Sequence, residues 1–436
     1  MSRLLSTSLL WICVLAIVGS VVAGFVPNQA IDQTIQLILA FYLSVVFFRA
    51  TFFFFGSFRE KVEDYLLDRL PSTEYAKPMV SIIVPCYNEE KVIANSLNSL
   101  LNLDYPFYEI IVVNDGSTDS TAAIAEMVAG TAYKSSIQVI SQVNQGKAAA
   151  LNNGLMHAVG DVILCVDADS KILPGSLEAG IRHFRDPKVG AVAGFVEIAN
   201  QQNWLLQLQQ LEYLVGLNFS RRALSFMGVV PIVPGPAGLF RRRAIFQAGG
   251  FQSKHHMYAE DAELSLRILA AGWKVKSEED LVAVTEAPEA IMPLLRQRYR
   301  WNRGTFQALM LNLKSLLFRS GWRGKWVGGY LFTESAITPV VNFCLILYFL
   351  TFFVREAGLH LFSKWYLYLL AVDILTTIIA VHGRGNTIRW IFLTFLNKVG
   401  FYYMLLTWRI LSLIEEWQDK DMSWDKLERT GHMGKV

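Results

Sequence analysis

The sequence has few cysteines and little net charge. Its four cysteines are far apart, form no CxxC pair and have no histidines clustered near them. Neither a disulfide framework nor a zinc site is therefore indicated. The formal charge at neutral pH is only +3, and no long basic run occurs, so nucleic acid is not an expected partner. Internal repeats and low-complexity tracts are also absent from the sequence.

Charged residues are scarce as well, at 18%, whereas hydrophobic residues make up 53% and the mean hydropathy is +0.33. These values are high for a fully soluble protein. The apolar residues concentrate before about Phe55 and after about Trp326, and the middle of the chain reads as an ordinary soluble domain. The length therefore fits one large domain flanked by membrane helices.

Two apolar runs lie near the N-terminus, Leu9–Val26 and Leu37–Phe55. Each is about long enough to cross a ~30 Å hydrocarbon layer. The first alone resembles a signal peptide, but two runs in tandem favour a transmembrane hairpin. The charged stretch Arg59–Lys77 then reads as a linker that leaves the membrane on the cytoplasmic side.

Apolar runs return near the C-terminus, at Leu331–Val354, Trp365–Val381 and Trp390–Ile414, and polar residues interrupt the last of them. Glu334 lies within the first of these runs, so it faces either a polar path or partner, or the membrane interface at a helix end. The predicted domains are two N-terminal transmembrane helices (1–58), a cytosolic domain with interfacial helices (59–320), C-terminal transmembrane or interfacial helices (321–415) and a tail (416–436).

The middle of the chain alternates short β-rich runs with helical patterns. The predicted strands are Val80–Val84, Glu109–Val113, Ile137–Ile140 and Asp161–Val166. Such alternation predicts an α/β fold with a mostly parallel sheet. Ligands bind beyond the carboxyl ends of parallel strands, and polar motifs stand at those positions in this sequence. Helical stretches follow at Asn203–Leu224 and Ile291–Leu317, and the basic residues of the second suit a helix in the membrane interface.

Asp167-Ala168-Asp169 directly follows an apolar strand. Two carboxylates at this spacing are able to hold Mg²⁺ or Mn²⁺, which in turn would bridge a diphosphate, although an exposed turn explains the pattern too. Asp115 also follows a strand, and it reads either as a turn or helix cap or as a contact to a nucleotide base or ribose.

Other polar residues stand close to these strand ends. Tyr87 and Glu89 are candidates to complete a base pocket, and Lys147 opens a helix from which it could meet a diphosphate or simply face solvent. In Glu260-Asp261, the second carboxylate is the candidate general base that removes a proton from an acceptor hydroxyl, and ordinary capping of a helix is the alternative.

Gln297-Arg298-Tyr299-Arg300-Trp301 places Gln297, Arg300 and Trp301 on one helical face. An arginine there could offset a departing diphosphate, and an indole could stack on a sugar ring. The alternative is an interfacial helix with snorkelling arginines and an anchoring tryptophan.

These motifs, in this order and with these flanking apolar runs, resemble the processive family 2 glycosyltransferases: the cellulose, chitin, hyaluronan and poly-N-acetylglucosamine synthases. The resemblance covers nearly the whole chain. It implies a GT-A-like nucleotide-sugar domain, inserted between N- and C-terminal transmembrane helices.

The resemblance also implies roles for the matching residues. Asp115 and Asp167 would hold the UDP moiety, Asp169 the metal, and Asp261 would be the base. Gln297, Arg300 and Trp301 would place the diphosphate and the acceptor sugar. The segment Trp424–Arg429 loosely resembles a cytosolic segment that closes over UDP in some members.

Two departures bear on the product. Ala259 stands where the family has Thr or Gly before its acidic pair. Gly235-Pro236 with Arg241-Arg242 resembles the hyaluronan and chitin branch, as does Arg300-Trp301-Asn302, whereas Gln297-Arg298 resembles the cellulose and poly-N-acetylglucosamine branch. The length and the arrangement of apolar runs are most similar to the poly-N-acetylglucosamine synthases.

The resemblance therefore implies an inverting, processive enzyme of a cell (inner) membrane. It would be multi-pass, with a cytosolic catalytic domain, a UDP-sugar donor, a growing exopolysaccharide (biofilm-type) acceptor, the lipid bilayer and a small membrane accessory subunit as partners, and no nucleic acid. Two alternatives stay open: transfer of one sugar to a lipid phosphate carrier, and a non-catalytic membrane scaffold.

Overall fold

The computed structural model describes residues 29–69, 77–131, 137–200, 202–252, 258–352, 356–382 and 385–418, with residues 16, 19 and 420. The predicted first span, Leu9–Val26, lies almost wholly outside these residues. The segment Trp424–Arg429 lies entirely outside them, as does most of the predicted tail.

The described residues fall into two compact units. The first, called here the helical unit, contains the residues up to Phe55, Met292–Phe306 and the residues from Tyr330 onward. The second, called here the sheet unit, contains Gly56–Ile291 and Gln307–Gly329.

One sheet organises the sheet unit. Its strands are β1 Val80–Cys86, β2 Tyr108–Asn114, β3 Ile137–Ser141, β4 Val162–Cys165, β5 Ser170–Ile172, β6 Val189–Ile198, β7 Gly238–Arg241 and β8 Lys274–Thr285. They are ordered β3-β2-β1-β4-β7-β6-β8-β5. Strands β1 to β4 pair in parallel, as do β6 and β8, whereas the pairs β4–β7, β6–β7 and β5–β8 are antiparallel.

Helices cover the sheet and make up the helical unit. The α-helices are α1 Gln29–Asp68, α2 Ile93–Leu101, α3 Thr121–Thr131, α4 Lys147–His157, α5 Ser176–Ile181, α6 Trp204–Leu211, α7 Ser220–Ser225, α8 Arg242–Gln247, α9 Glu260–Ala270, α10 Ile291–Phe318, α11 Trp322–Phe332, α12 Thr338–Phe352, α13 Glu356–Ala380, α14 Thr387–Leu396 and α15 Tyr402–Trp417. Three π-helical segments join consecutive α-helices: Glu212–Phe219, Thr333–Ile337 and Asn397–Phe401.

Strand β1 is buried along its whole length because helices cover both faces of the sheet. Its neighbouring residues Ile82 and Ile83 point to opposite faces, and neither is exposed. Helix α4 approaches the strand closely at Gly154, where an added Cβ would lie 2.5 Å from Cγ2 of Ile83. A glycine is therefore required there for α4 to reach the sheet, and α4 begins with Lys147.

The α/β prediction is confirmed, and so are its four strands, which form the parallel half of the sheet. Strands β5 to β8 were not predicted. The sequence of β8 contains Lys276, Glu278 and Glu279, which read as surface residues. In the structure Lys276 pairs with Glu60 at 2.9 Å, and Glu278 pairs with Arg182 at 2.8 Å, so both charges are buried with a partner.

In the helical unit, Leu39, Leu345, Tyr348, Phe349 and Trp365 form an apolar cluster. The rings of Phe349 and Trp365 stack with centroids 4.9 Å apart. Glu334, which the sequence predicted to need a partner or the interface, is paired with Arg49 at 2.6 Å. The side chain of Arg409 also donates to the backbone carbonyl of Glu334, at 2.7 Å.

Three helical stretches of the described residues are long and apolar enough to cross a membrane: Gln36–Leu67, Trp322–Thr351 and Ser363–Ala380. They contain the predicted span Leu37–Phe55 and all but the last residues of the predicted spans Leu331–Val354 and Trp365–Val381. The stretch from Trp390 to Ile414 is helical but is not among them, because polar residues such as Asn397 and Lys398 interrupt its apolar residues.

Candidate active site

The loops after β1 and β2 are tied to each other at the carboxyl edge of the sheet. Cys86 and Asn114 end the two strands and face each other in the parallel register. Beyond them, the Asn88 side chain accepts a hydrogen bond from the Thr118 backbone N–H at 2.8 Å, and the Asn88 backbone N–H donates to Ser117 Oγ at 3.0 Å. Tyr87 is 40% exposed next to this junction, as a residue that stacks on a base would need to be.

Asp115 is buried directly after β2, and its carboxylate holds the loop that leads to α4. Its Oδ1 accepts hydrogen bonds from Gln142 Nε2 at 2.8 Å and from the backbone N–H of Gln145 at 2.9 Å. Its Oδ2 accepts from the backbone N–H of Gly146 at 2.8 Å. Asp115 thus orders the residues that precede Lys147, and its contact with a nucleotide stays a prediction.

Gly146 begins α4 with φ of 90° and ψ of 163°, a conformation that only glycine adopts without strain. The next residue, Lys147, bridges two carboxylates. Its Nζ lies 2.7 Å from Oδ1 of Asp167 and 2.9 Å from Oε1 of Glu260. Burial lowers the pKa of Lys147, but the carboxylates of Asp167 and Glu260 outweigh it and raise that pKa well above its usual value. Lys147 is therefore a cation paired with two carboxylates; its side chain is 32% exposed, and its contact with a diphosphate stays a prediction.

These residues line a narrow cavity at the carboxyl edge of the sheet. Its walls include Pro85, Lys147, Cys165, Asp167, Gly235, Glu260 and Asp261. Gly235 approaches the ion pair so closely that an added Cβ would lie 3.0 Å from Lys147 Nζ and 3.3 Å from Asp167 Oδ2. The cavity therefore brings together one cation and three carboxyl groups from three separate elements.

Asp261 is the second residue of α9, and its Oδ1 accepts a hydrogen bond from the Ala262 backbone N–H at 2.7 Å. A carboxylate at a helix N-terminus is ordinarily stabilised in its charged form. Here burial, followed by the charge of Glu260, raises the pKa of Asp261 to about 6, against the opposing effect of Lys147. Asp261 thus lines the cavity as a carboxyl group suited to a general base near neutral pH, and that role stays a prediction.

Asp169, the predicted metal ligand, is buried two residues after Asp167, and its Oδ1 accepts a hydrogen bond from Ser170 Oγ at 3.1 Å. Elsewhere in the sheet unit, Asp64, His183 and Glu278 have side-chain ligand atoms within 4.8 Å of one another. There the guanidinium of Arg182 lies 2.8 Å from Glu278, so an ion pair already offsets the carboxylate charge.

The predicted residues Gln297, Arg300 and Trp301 lie on α10, in the part that belongs to the helical unit. Arg298 donates to the side-chain oxygen of Gln297 and places its guanidinium 4.3 Å from the centroid of the Trp301 ring. Tyr299 donates to Glu415 of α15, and Arg303 pairs with Glu416 at 2.8 Å. The motif is therefore held rigidly, and its role in acceptor binding stays a prediction.

The sequence prediction missed three residues of the cavity or its surroundings. Glu260 was noticed only as a neighbour of Asp261, and Gly235 only as a branch marker. Arg221, whose pKa burial lowers and Asp261 raises, was not singled out. The contact of Arg298 with Trp301, three residues further along α10, was one that the sequence could have indicated.

The known proteins to which this chain is similar include glycan synthases and a mannosyltransferase. The model of the glycosyl transferase family 2 matches residues 81–247, which run from β1 to the end of α8. Poly-β-1,6-N-acetyl-D-glucosamine synthase of Staphylococcus epidermidis is 30% identical over 282 residues, which cover 64% of this chain and 66% of that protein. The synthase of S. aureus (strain COL) is 32% identical over 239 residues, covering 55% of this chain and 57% of its own.

The chain thus spans less than two thirds of the length of these relatives. Among solved structures, a mannosyltransferase of Pyrobaculum calidifontis, determined in complex with GDP-Man and Mn²⁺, shares the fold. The two superpose with a TM-score of 0.59 at 21% identity, over 88% of this chain and 99% of the other. The chain therefore contains a glycosyl transferase family 2 domain at residues 81–247 and is similar to the poly-β-1,6-N-acetyl-D-glucosamine synthases.

Proposed function

We propose that the protein transfers N-acetylglucosamine from a UDP-sugar to a growing polysaccharide with inversion, processively and coupled to export across the membrane. The observation that carries the proposal is the cavity in which Lys147 joins Asp167 to Glu260 beside the raised-pKa carboxyl of Asp261. The choice of sugar is supported by the similarity to the poly-N-acetylglucosamine synthases.

In the proposed reaction, an acceptor hydroxyl oxygen bonds to the anomeric carbon of the donor while the bond from that carbon to the diphosphate oxygen breaks. The hydroxyl proton passes to the carboxylate of Asp261, and UDP leaves with the electron pair of the broken bond. A single displacement of this kind inverts the anomeric configuration.

Lys147 would stabilise the departing diphosphate. Its ammonium is already inside the cavity, between Asp167 and Glu260, so a diphosphate there would find a cation held in place before it binds. Asp115 orders the loop in front of Lys147, and Tyr87 and Glu89 stand at the adjoining strand end to receive the nucleotide.

The residues of the site fit a divalent cation. Asp169 and Asp167 offer hard carboxylate oxygens two residues apart at a strand end, the donor type that Mg²⁺ and Mn²⁺ prefer. Asp169 is the proposed ligand. When bound, the cation would supply positive charge to the diphosphate of the donor and so make UDP a better leaving group.

The acceptor would be held by the motif on α10. Trp301 would offer its indole to a sugar ring, with Arg298 and Gln297 fixing its orientation, and Arg300 would add charge for the diphosphate. These roles rest on the resemblance of the motif.

For location, we propose a multi-pass protein of the cell (inner) membrane whose sheet unit faces the cytosol. The three long apolar helical stretches support membrane insertion. The proposal includes the lipid bilayer and a small membrane accessory subunit as partners, and a path through the helical unit for the product.

The decisive experiment measures UDP release by the purified full chain over a panel of UDP-sugars with Mg²⁺ or Mn²⁺. Wild type should turn over UDP-N-acetylglucosamine and leave a high-mass product. Asp261→Asn should lower kcat by about 10²- to 10⁴-fold, because it removes the base. Glu126→Gln, at an exposed position of α3, serves as a control outside the cavity.

Other results would change the proposal. A product of one added sugar, formed only when a lipid phosphate carrier is supplied, would indicate the lipid-linked transferase. Absence of turnover with every donor and carrier, with folding intact, would favour the scaffold.

A further inference from the structure

Helix α10 presents different residues on two of its faces. The face assigned above to the acceptor and the diphosphate, called here the motif face, carries Gln297, Arg300 and Trp301. Tyr299, Arg303 and Phe306 recur at helical spacing and form a second face, called here the support face. Because successive residues of an α-helix are turned by about 100°, the support face lies roughly opposite the motif face. Contacts on the support face therefore leave the motif face open to an acceptor.

Arg303 stands at the centre of the support face and is buried, with 3% of the residue exposed. Each of its three guanidinium nitrogens donates to a different acceptor. Nε bonds to the carboxylate of Glu416 at 2.8 Å, and Nη1 bonds to the hydroxyl of Tyr299 at 2.9 Å. Nη2 bonds to the backbone carbonyl of Lys420 at 2.6 Å. Arg303 thus binds α10 to the C-terminal end of α15 and to the chain just beyond it.

The two neighbours of Arg303 on the support face contact the same end of α15. The hydroxyl of Tyr299 donates to the carboxylate of Glu415. One turn beyond Arg303, the rings of Phe306 and Trp417 meet edge to face, with centroids 6.4 Å apart. The last residues of α15 therefore meet the support face over about two turns of α10.

These contacts fix orientation as well as proximity. An apolar contact would hold two helices together about as well as a buried ion pair does. A guanidinium is planar and donates in fixed directions, so three acceptors around Arg303 allow little rotation of α10 about its axis. Rotation of a helix displaces its opposite faces together. The support face therefore determines where the motif face points.

We propose that Arg303 is a positioning residue for the acceptor site: it fixes the rotation of α10 against the end of α15 and so sets where Gln297 and Trp301 meet the acceptor sugar. This inference rests on the proposed function, since it assumes that the motif face binds the acceptor. It makes the acceptor site depend on Glu416, which lies 113 residues further along the chain.

The test measures binding of two probes to the purified full chain: a short β-1,6-linked N-acetylglucosamine oligosaccharide, and UDP with Mg²⁺. In Arg303→Gln the Kd of the oligosaccharide should rise about tenfold or more, because small displacements in a site are costly. The Kd of UDP should rise less, because Lys147 keeps its position. A merely structural loss would reduce the fraction of protein that binds either probe and leave both Kd values unchanged.

Two further variants test the bonds of the support face. Arg303→Lys keeps the charge but has one ammonium where the guanidinium serves three acceptors, so it should also weaken oligosaccharide binding. Tyr299→Phe keeps the ring and removes only the hydroxyl, so it should fold and still raise the Kd of the oligosaccharide. Wild-type oligosaccharide affinity in both variants would overturn the proposal.

Two controls separate positioning from loss of charge and loss of stability. Arg319→Gln removes a charge at the exposed C-terminal end of α10. Leu393→Ala removes a buried side chain from α14, in the same helical unit. Both variants should bind the oligosaccharide as wild type does, although Leu393→Ala should melt at a lower temperature. A rise in Kd in Leu393→Ala equal to that in Arg303→Gln would overturn the inference.

Wild type in the same assays tests the proposed function separately. If wild type binds UDP and the oligosaccharide while Arg303→Gln binds both equally well, the function stands and the inference alone falls. If wild type binds UDP but no oligosaccharide, the proposed acceptor is wrong and the inference falls with it. Hydrogen exchange of the amides in residues 297–301, which needs no ligand, should be faster in Arg303→Gln than in wild type. Unchanged exchange with weakened binding would contradict action through the motif face.

Discussion

Asp261 stands where a helix favours a negative charge, yet burial raises its pKa to about 6. The competition between these effects is what makes a carboxyl group useful as a base near neutral pH. Lys147 places a positive charge at a helix N-terminus, where the helix dipole disfavours it, and the carboxylates of Asp167 and Glu260 offset this effect. Each of the two residues is stable in its place only because the other elements supply the charges around it.

The raised pKa of Asp261 predicts the pH dependence of the reaction. The carboxyl must be deprotonated to accept a proton, so kcat/KM should be constant above the pKa and fall about tenfold per pH unit as the pH drops below about 6. The measurement is UDP release between about pH 5 and about pH 9. A profile without an acid limb would contradict the role of Asp261.

The stability of the folded protein should depend on pH in the opposite sense to its activity. Because the folded-state pKa of Asp261 lies above the usual aspartate value, the folded state favours the protonated form, and stability is lost as the pH rises through about 6. Asp261→Asn removes that ionisation. Its melting temperature above this pH should therefore equal or exceed that of wild type, which would show that any loss of activity is chemical.

Gly235 predicts a steric effect on the donor site. In Gly235→Ala the new Cβ would lie 3.0 Å from Lys147 Nζ and 3.3 Å from Asp167 Oδ2, so the ion pair must shift. The KM for the donor should rise about tenfold or more, since small displacements in a site are costly. Gly130→Ala on α3, where an added Cβ meets nothing within 4 Å, is the matched control. Similar KM values in the two variants would rule out the close approach as the cause.

For single residues, the sequence predicted which side chains stand at the strand ends and helix starts better than it predicted which of them contact one another. Asp115, Lys147, Asp167 and Asp261 each follow a strand or open a helix, so their position at one edge was predictable. That Lys147 joins Asp167 to Glu260 was not, because the three lie on elements whose distances only the folded sheet sets. Arg221 carries no motif at all.

Helix α4 and the loop before it determine where Lys147 lies. Gly154 lets α4 lie against β1, Gly146 starts the helix, and Asp115 holds the loop between β3 and α4. The position of Lys147 therefore depends on three residues that do not contact a cation themselves. The parallel strands that support this loop were predicted from their apolar runs.

Asp115→Asn tests that dependence. An amide has one acceptor oxygen where the carboxylate has two, so a backbone N–H of the loop loses its partner. Hydrogen exchange of the amides in residues 142–146 should speed up, and kcat/KM should fall on the order of tenfold or more. The exposed Asp104→Asn is the control. If exchange in the loop is unchanged while activity falls, Asp115 acts on the nucleotide directly and not through the loop.

Strand β8 shows why the antiparallel half of the sheet was missed. Lys276, Ser277 and Glu278 are all buried in it, although they are residue types that usually mark a surface. Ion pairs to Glu60 and Arg182 make their burial tolerable. Those partners come from distant parts of the sequence, so no local pattern could have indicated them.

At the scale of the whole molecule, the chain builds two units with different chemistry. The sheet unit buries an apolar core around parallel strands, whereas the helical unit exposes many apolar side chains along α1 and α13. Two ion pairs lie within the helical unit, Arg49 with Glu334 and Lys398 with Asp373, both at 2.7 Å or less. A membrane environment accounts for both features.

The ion pair between Arg49 and Glu334 can be tested by exchanging the two charges. Arg49→Glu and Glu334→Arg should each lower the melting temperature of the protein in detergent, because each leaves two like charges in contact. The double exchange restores opposite charges and should recover much of the loss. Arg389→Glu, near the start of α14, is the single-charge control. A double variant as unstable as the worse single variant would show that the pair contributes nothing.

Cys165 gives this site an intrinsic chemical reporter. The thiol lines the cavity, and burial raises its pKa to about 12, so at neutral pH it is nearly all protonated and alkylates slowly. Cys86 is buried as well, and Cys344 is half-buried. A nucleotide-sugar in the cavity would block the approach to Cys165, so the rate of its alkylation, followed by intact mass, would report occupancy even in variants that do not turn over.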